Sequence, residues 1–140
     1  MFRKFFVLTL CVLVLLGMVC VVYGEESEQT PQFAPPAKMK YAKSTSVTLD
    51  RKGESAVISA RIIGDAGKTT KLKGKCILQK FSNGKWNYVD SWSESTNARI
   101  LSINKKRKVS GGTYRVHAVF HAYAGDKVET ITDNSGKVKF

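Results

Sequence analysis

The sequence predicts an all-β sandwich of about seven short antiparallel strands. Three observations carry that reading. Apolar and polar residues alternate in short runs, and turn residues separate the runs about every 8–15 positions. Beyond the N-terminal apolar segment, no stretch sustains a 3.6-residue hydrophobic period with helix caps. Asn83-Gly84 stands between two alternating runs, a strong hairpin signal because a type I′ turn needs positive φ at both central positions.

The strands follow in order. Val47-Thr48-Leu49 is a short first strand, turned by Arg51-Lys52-Gly53. Ser55–Ile63 is the second, with Ala56, Ile58, Ala60 and Ile62 on one face. The loop Gly64-Asp65-Ala66-Gly67 leads to the third, Lys71–Phe81. The Asn83-Gly84 turn leads to the fourth, Lys85–Trp92. Arg99–Ile103 is the fifth and runs into Lys105-Lys106-Arg107-Lys108. Gly111-Gly112 opens the sixth, Thr113–Tyr123. Ala124-Gly125-Asp126 precedes the seventh, Val128–Thr132, and a turn at Asn134-Ser135-Gly136 leaves a short edge at Val138 to Phe140. Seven or so such strands with glycine turns suggest an immunoglobulin-like sandwich. Tyr114, just after a turn at the start of the sixth strand, sits where a tyrosine corner would bond its hydroxyl to nearby backbone. The alternative is an ordinary strand tyrosine.

Ahead of the sandwich the chain reads differently. Residues 1–24 carry Arg3 and Lys4 and then an apolar run from Phe5 to Val22. Val22-Tyr23-Gly24 fits cleavage before the acidic Glu25. The segment is expected to be a signal peptide, with an uncleaved membrane anchor as the alternative. Residues 25–44 hold all three prolines and read as a flexible arm before a domain at 45–140. Cys11 and Cys20 lie in the signal, which leaves Cys76 unable to form an intramolecular disulfide in the mature chain; it reads as a small buried hydrophobe. Losing Arg3 and Lys4 takes the formal charge from +12 to +10. A surface so basic attracts anionic polymers, although solubility alone would also explain it. Export argues against nucleic acid as the partner.

The run Leu78-Gln79-Lys80, Gly84-Lys85-Trp86, Val89 with Ser91-Trp92-Ser93, and Gly112-x-Tyr114-Arg115-Val116 resembles a family of small secreted β-sandwich proteins of unknown function from Gram-positive bacteria. The resemblance covers about residues 45–140. It implies the fold and the export, and it brings no activity or catalytic residues.

Several chemistries find no support. Gly67-Lys68-Thr69 lacks the earlier glycine of a phosphate loop, since Ile62 occupies that place, and a strand follows instead of a helix. His117 and His121 share a strand about 13 Å apart, too far to hold one metal ion. The acids lie mostly beside turns, and nothing singles out the carboxylate pair that glycoside cleavage needs. No cofactor and no catalysis are expected.

Register points to a surface. With Asn83-Gly84 as the loop, Phe81 should oppose Trp86, Gln79 should oppose Tyr88, and Ile77 should oppose Asp90. Lys71, Lys73 and Lys75 continue that face, and three lysines are not buried unpaired, so it must face solvent. Arg115, His117 and His121 face outward on the neighbouring sixth strand. The expected function is a secreted or wall-associated module for an anionic or amino-sugar surface polymer. Phe81, Trp86 and Tyr88 would stack on sugar rings while Lys71, Lys73, Lys75 and Arg115 hold acidic groups. The aromatics could instead simply stabilise the hairpin, or the 25–44 arm could cover them. The basic run 105–108 would be solvated or touch anionic lipid or polymer. A second expectation is a protein-interaction module, an inhibitor or assembly subunit, using the exposed sheet face or strand edges.

Overall fold

The computed structural model describes residues 38–140; the candidate signal segment and most of the arm lie outside the described residues. Eight strands follow one another: β1 (Ala42–Lys52), β2 (Ser55–Gly64), β3 (Lys71–Ser82), β4 (Lys85–Thr96), β5 (Ile100–Lys108), β6 (Thr113–Ala124), β7 (Lys127–Asn134) and the short β8 (Val138–Lys139). They form two sheets, β1-β2-β5 and β4-β3-β6-β7, with β8 alongside β6. Every pairing is antiparallel. The chain crosses between sheets after β2, β4 and β5, which is the Greek-key weave of an immunoglobulin-like sandwich. The expected neighbours, the third and sixth strands, are paired.

Period-two alternation builds the core. Ala56, Ile58, Ala60 and Ile62 of β2 and Leu101 and Ile103 of β5 face Leu72, Cys76 and Leu78 of β3 and Tyr114, Val116, Ala118, Phe120 and Ala122 of β6, all buried. Gly74 interrupts the large residues of β3 opposite Phe120. A Cβ there would come within 3.1 Å of Phe120, Leu101 and Ile103, so side chains of both sheets converge on the space that glycine leaves.

The hairpin forms as its sequence demands. Asn83 and Gly84 have φ of 54° and 74°, and Phe81 opposes Trp86. Farther along, β4 differs from expectation. The register shifts between Leu78 and Gln79, so Val89 is a bulge residue without a partner of its own. Ile77 therefore opposes Ser91, and Asp90 opposes Leu78.

The N-terminal boundary also differs. Residues 42–44, read as the tail of a linker, belong to β1. The Glu129 carboxylate on β7 accepts the backbone N–H of Lys40 at 2.9 Å and of Tyr41 at 2.7 Å, and the Tyr41 carbonyl accepts from Asp65 N–H at 3.0 Å. Partners this distant in sequence order a stretch whose own composition reads as flexible.

Tyr114 is buried. Its hydroxyl donates to the Ser110 carbonyl at 2.8 Å, and its ring meets Phe140 edge-on at 5.3 Å. Tyr114→Phe is expected to cost about 1–2 kcal/mol, since it leaves that carbonyl short of a donor. Urea unfolding would read the loss as a lower midpoint at unchanged slope.

Candidate functional site

The outer face of the β4-β3-β6-β7 sheet consists of rows set by register. Tyr88, Gln79 and Arg115 form one row. Ser91, Ile77, His117 and Asn134 form the next, followed by Ser93, Lys75, Val119 and Thr132. Ser95, Lys73, His121 and Thr130 come after that. Lys71 lies beyond, opposite Tyr123. His117 Nδ1 lies 2.8 Å from Asn134 Oδ1, and His121 Nδ1 lies 3.0 Å from Thr130 Oγ1, so each imidazole is engaged with β7.

The sequence-derived candidates share this face but fall into two groups. At the hairpin end, Phe81 and Trp86 pack with ring centroids 5.2 Å apart. The Arg115 guanidinium lies 4.3 Å from the Trp86 ring centre, and its Nε donates to Gln79 Oε1 at 2.8 Å. Lys137 approaches the same ring at 5.9 Å. One face of the indole is thus already covered by a cation, a favourable arrangement in its own right. Phe81, 47% exposed, and Tyr88, 66% exposed, remain open. At the other end are Lys71, Lys73 and Lys75. At strand rise, Lys75 is about 20 Å from Phe81 and Lys71 about 33 Å. A single sugar ring cannot touch both groups, so the expected stacking and charge contacts would fall on different residues of one polymer.

Charge is sorted on this sheet. Glu94 pairs with Lys105 at 3.1 Å, and Asp90 pairs with Arg107, both across the sandwich edge to β5. Glu129 is turned toward β1, and Asp133 accepts the Thr45 hydroxyl at 2.9 Å. Asp65 lies in the β2–β3 loop, where a hydrogen bond from Lys68 at 2.9 Å holds its carboxyl below the ordinary range. Glu54 pairs with Lys108 at 3.1 Å, Asp50 is on β1, and Asp126 is in the β6–β7 turn. The outer face carries Lys71, Lys73, Lys75 and Arg115, and Glu94, paired with Lys105, stands at its edge beside Lys73 and Lys75. The basic run 105–108, read as solvated or polymer-facing, is instead largely paired: of its four cations only Lys106 has no carboxylate partner among the described residues. Its partners lie on β4 and in the β1–β2 turn and leave no local mark in the sequence.

Reasoning from the sequence missed Ser93 and Ser95 as members of the face. Their alternation is visible in Ser91-Trp92-Ser93-Glu94-Ser95, but the bulge at Val89 decides which side they take. Among the described residues, no group of three or more His, Cys, Asp or Glu could hold a metal ion.

Cys76 is buried under the face, and that burial pushes its thiol from 9.0 up to about 11. The folded value lies above the unfolded one. Its contribution to stability is therefore full below about pH 9 and is lost as pH rises toward 11. Cys76→Ala is expected to flatten the fall in stability across that window relative to the parent protein. Denaturant midpoints at pH 8 and pH 10.5 would show it.

No protein-family model matches the chain, and neither does the sequence of any curated protein. Two crystal structures of wild-type OgpA from Akkermansia muciniphila are similar in part. One aligns at TM-score 0.44 and 14% identity over 69% of this chain and 28% of OgpA. The other aligns at TM-score 0.38 and 11% identity over 76% of this chain and 33% of OgpA. The chain thus spans no more than about a third of that protein's length.

Proposed function

We propose that the protein is a secreted or wall-associated, non-catalytic module that holds an anionic surface polymer on the outer face of its four-stranded sheet. One observation carries the reading: Lys71, Lys73 and Lys75 stand in line on that face with no carboxylate partner among the described residues, while the acids on the strands of the same sheet are engaged by other groups. Folding alone gives no reason for such sorting, because like charges along one strand repel. A polyanion would relieve that repulsion and release its own counterions.

Each cation near a charged surface contributes about 1 kcal/mol. Lys73→Ala/Lys75→Ala is therefore expected to lose about 2 kcal/mol, roughly thirty-fold in affinity. Salt-gradient elution from cell-wall material and from an immobilised polyanion would measure it. Unchanged retention of the variant, with its circular dichroism intact, would overturn the proposal.

The exposure of Phe81 and Tyr88 favours a second reading, a protein partner at the hairpin end, because aromatic residues are enriched in interfaces. A stoichiometric protein that co-purifies with the native chain and is lost with Phe81→Ser/Tyr88→Ser would establish it.

A further inference from the structure

The outer face repeats itself along β3, and the repeat has a length. Lys75 stands opposite Ser93, and Lys73 opposite Ser95. Cross-strand neighbours have Cβ atoms about 5 Å apart, so each pair places a lysine and a serine side by side, with the Lys73 ammonium leaning toward the Tyr123 ring at 5.5 Å. Residues two apart on one strand are separated by about 6.6–7 Å. The face thus holds two like sockets at that spacing, and Lys71 adds a further cation at the same interval. A shallow hollow of roughly 470 Å³ joins them, bordered by His121 and Glu94. Among the described residues Glu94 is the only carboxylate beside it, and Lys105 holds that group at 3.1 Å.

We propose that these sockets take consecutive phosphates of a polyol phosphodiester chain lying extended along β3. This rests on the polyanion reading above and narrows it to one spacing of charge. Two residues of polypeptide contain six backbone bonds: N–Cα, Cα–C and C–N, each twice. A poly(glycerol phosphate) also has six backbone bonds from one phosphorus to the next, so its extended repeat matches the strand's two-residue repeat. Each phosphodiester carries one charge on two unbridged oxygens, which suits one ammonium and one hydroxyl. Inorganic polyphosphate spaces its charges more closely, and a glycan with an acid on every second sugar spaces them more widely.

Single-stranded nucleic acid has the same bond count, but its bases need aromatic platforms beside the phosphate track. The exposed aromatics Phe81 and Tyr88 lie at the far end of the sheet, and Tyr123, beside the track, is already engaged by Lys73 at 5.5 Å. A chain without bases fits this face better.

The test measures binding of the full-length protein to poly(glycerol phosphate), inorganic polyphosphate, hyaluronan and oligothymidylate at matched charge over a range of salt. The expected result is at least tenfold preference for poly(glycerol phosphate). Its log K should fall by about 2 per decade of salt, as for three phosphates at the single-strand slope. Ser93→Ala/Ser95→Ala should weaken that polymer about fivefold at unchanged salt slope and leave polyphosphate binding as it was. Lys73→Ala should reduce the slope by about 0.7. Equal affinity for all four polymers would overturn the spacing while the polyanion module stands. Tighter binding of oligothymidylate would overturn it in favour of single-stranded nucleic acid. Binding to none would overturn both proposals.

Discussion

Phe120→Ala is expected to destabilise the protein by about 4 kcal/mol, within the range for a buried phenylalanine truncated in a packed core. The ring is fully buried at the centre of β6 and lies, with Leu101 and Ile103 of the opposite sheet, around the space over Gly74. Its removal leaves a cavity bounded by strands of both sheets. Those strands are held in register by continuous ladders and cannot collapse into it. Domains of this size are stable by about 5–15 kcal/mol, so the variant should unfold at a much lower urea concentration. Little change in midpoint would mean that Phe120 does not fill the core as described.

Gly74→Val is the converse experiment, with an expected cost of about 3 kcal/mol. The first added carbon alone would lie 3.1 Å from three separate side chains, one of them the rigid ring of Phe120. Valine adds two methyl groups beyond that point. The backbone of β3 cannot retreat, because it is paired on both sides, with β4 and with β6. Because Gly74 and Phe120 share one space, their substitutions should not be additive. Gly74→Ala with Phe120→Leu should cost less than the sum of the two single changes, and a double-mutant cycle in urea would measure the difference. Additive costs would show that the two positions do not compete for that space.

The same local logic explains what the sequence revealed. Period two in β2, β3 and β6 identified their buried faces, because a sheet with one side in a core leaves no other solution. Asn83-Gly84 located the hairpin and the Phe81–Trp86 pair for a similar reason: few residues accept the backbone that such a turn requires. What remained hidden depends on distant partners. Residues 40–44 are ordered through Glu129 and the β2–β3 loop. Lys105 and Arg107 are neutralised by Glu94 and Asp90 of a strand in the other sheet. The candidate site was legible as a face but not as two separate groups, because strand rise distributes aromatics and lysines along the sheet. The cover that Arg115 places over Trp86 depends on side-chain conformation across two strand spacings.

The bulge at Val89 has a consequence for the charge pattern of a whole surface. Tyr88 pairs with Gln79 and Asp90 with Leu78, and only the extra residue between them turns Asp90, Trp92 and Glu94 inward and Ser91, Ser93 and Ser95 outward. Were Val89 instead to take a partner of its own, strict alternation through it would exchange those two sets, whereas deleting it would leave every pairing as it is. With Val89 paired in, two carboxylates would stand among the lysines, and the cationic face would become zwitterionic with its composition unchanged. The electrostatic character of this protein is thus a question of parity along β4. Register alone would change it, without gaining or losing a charge.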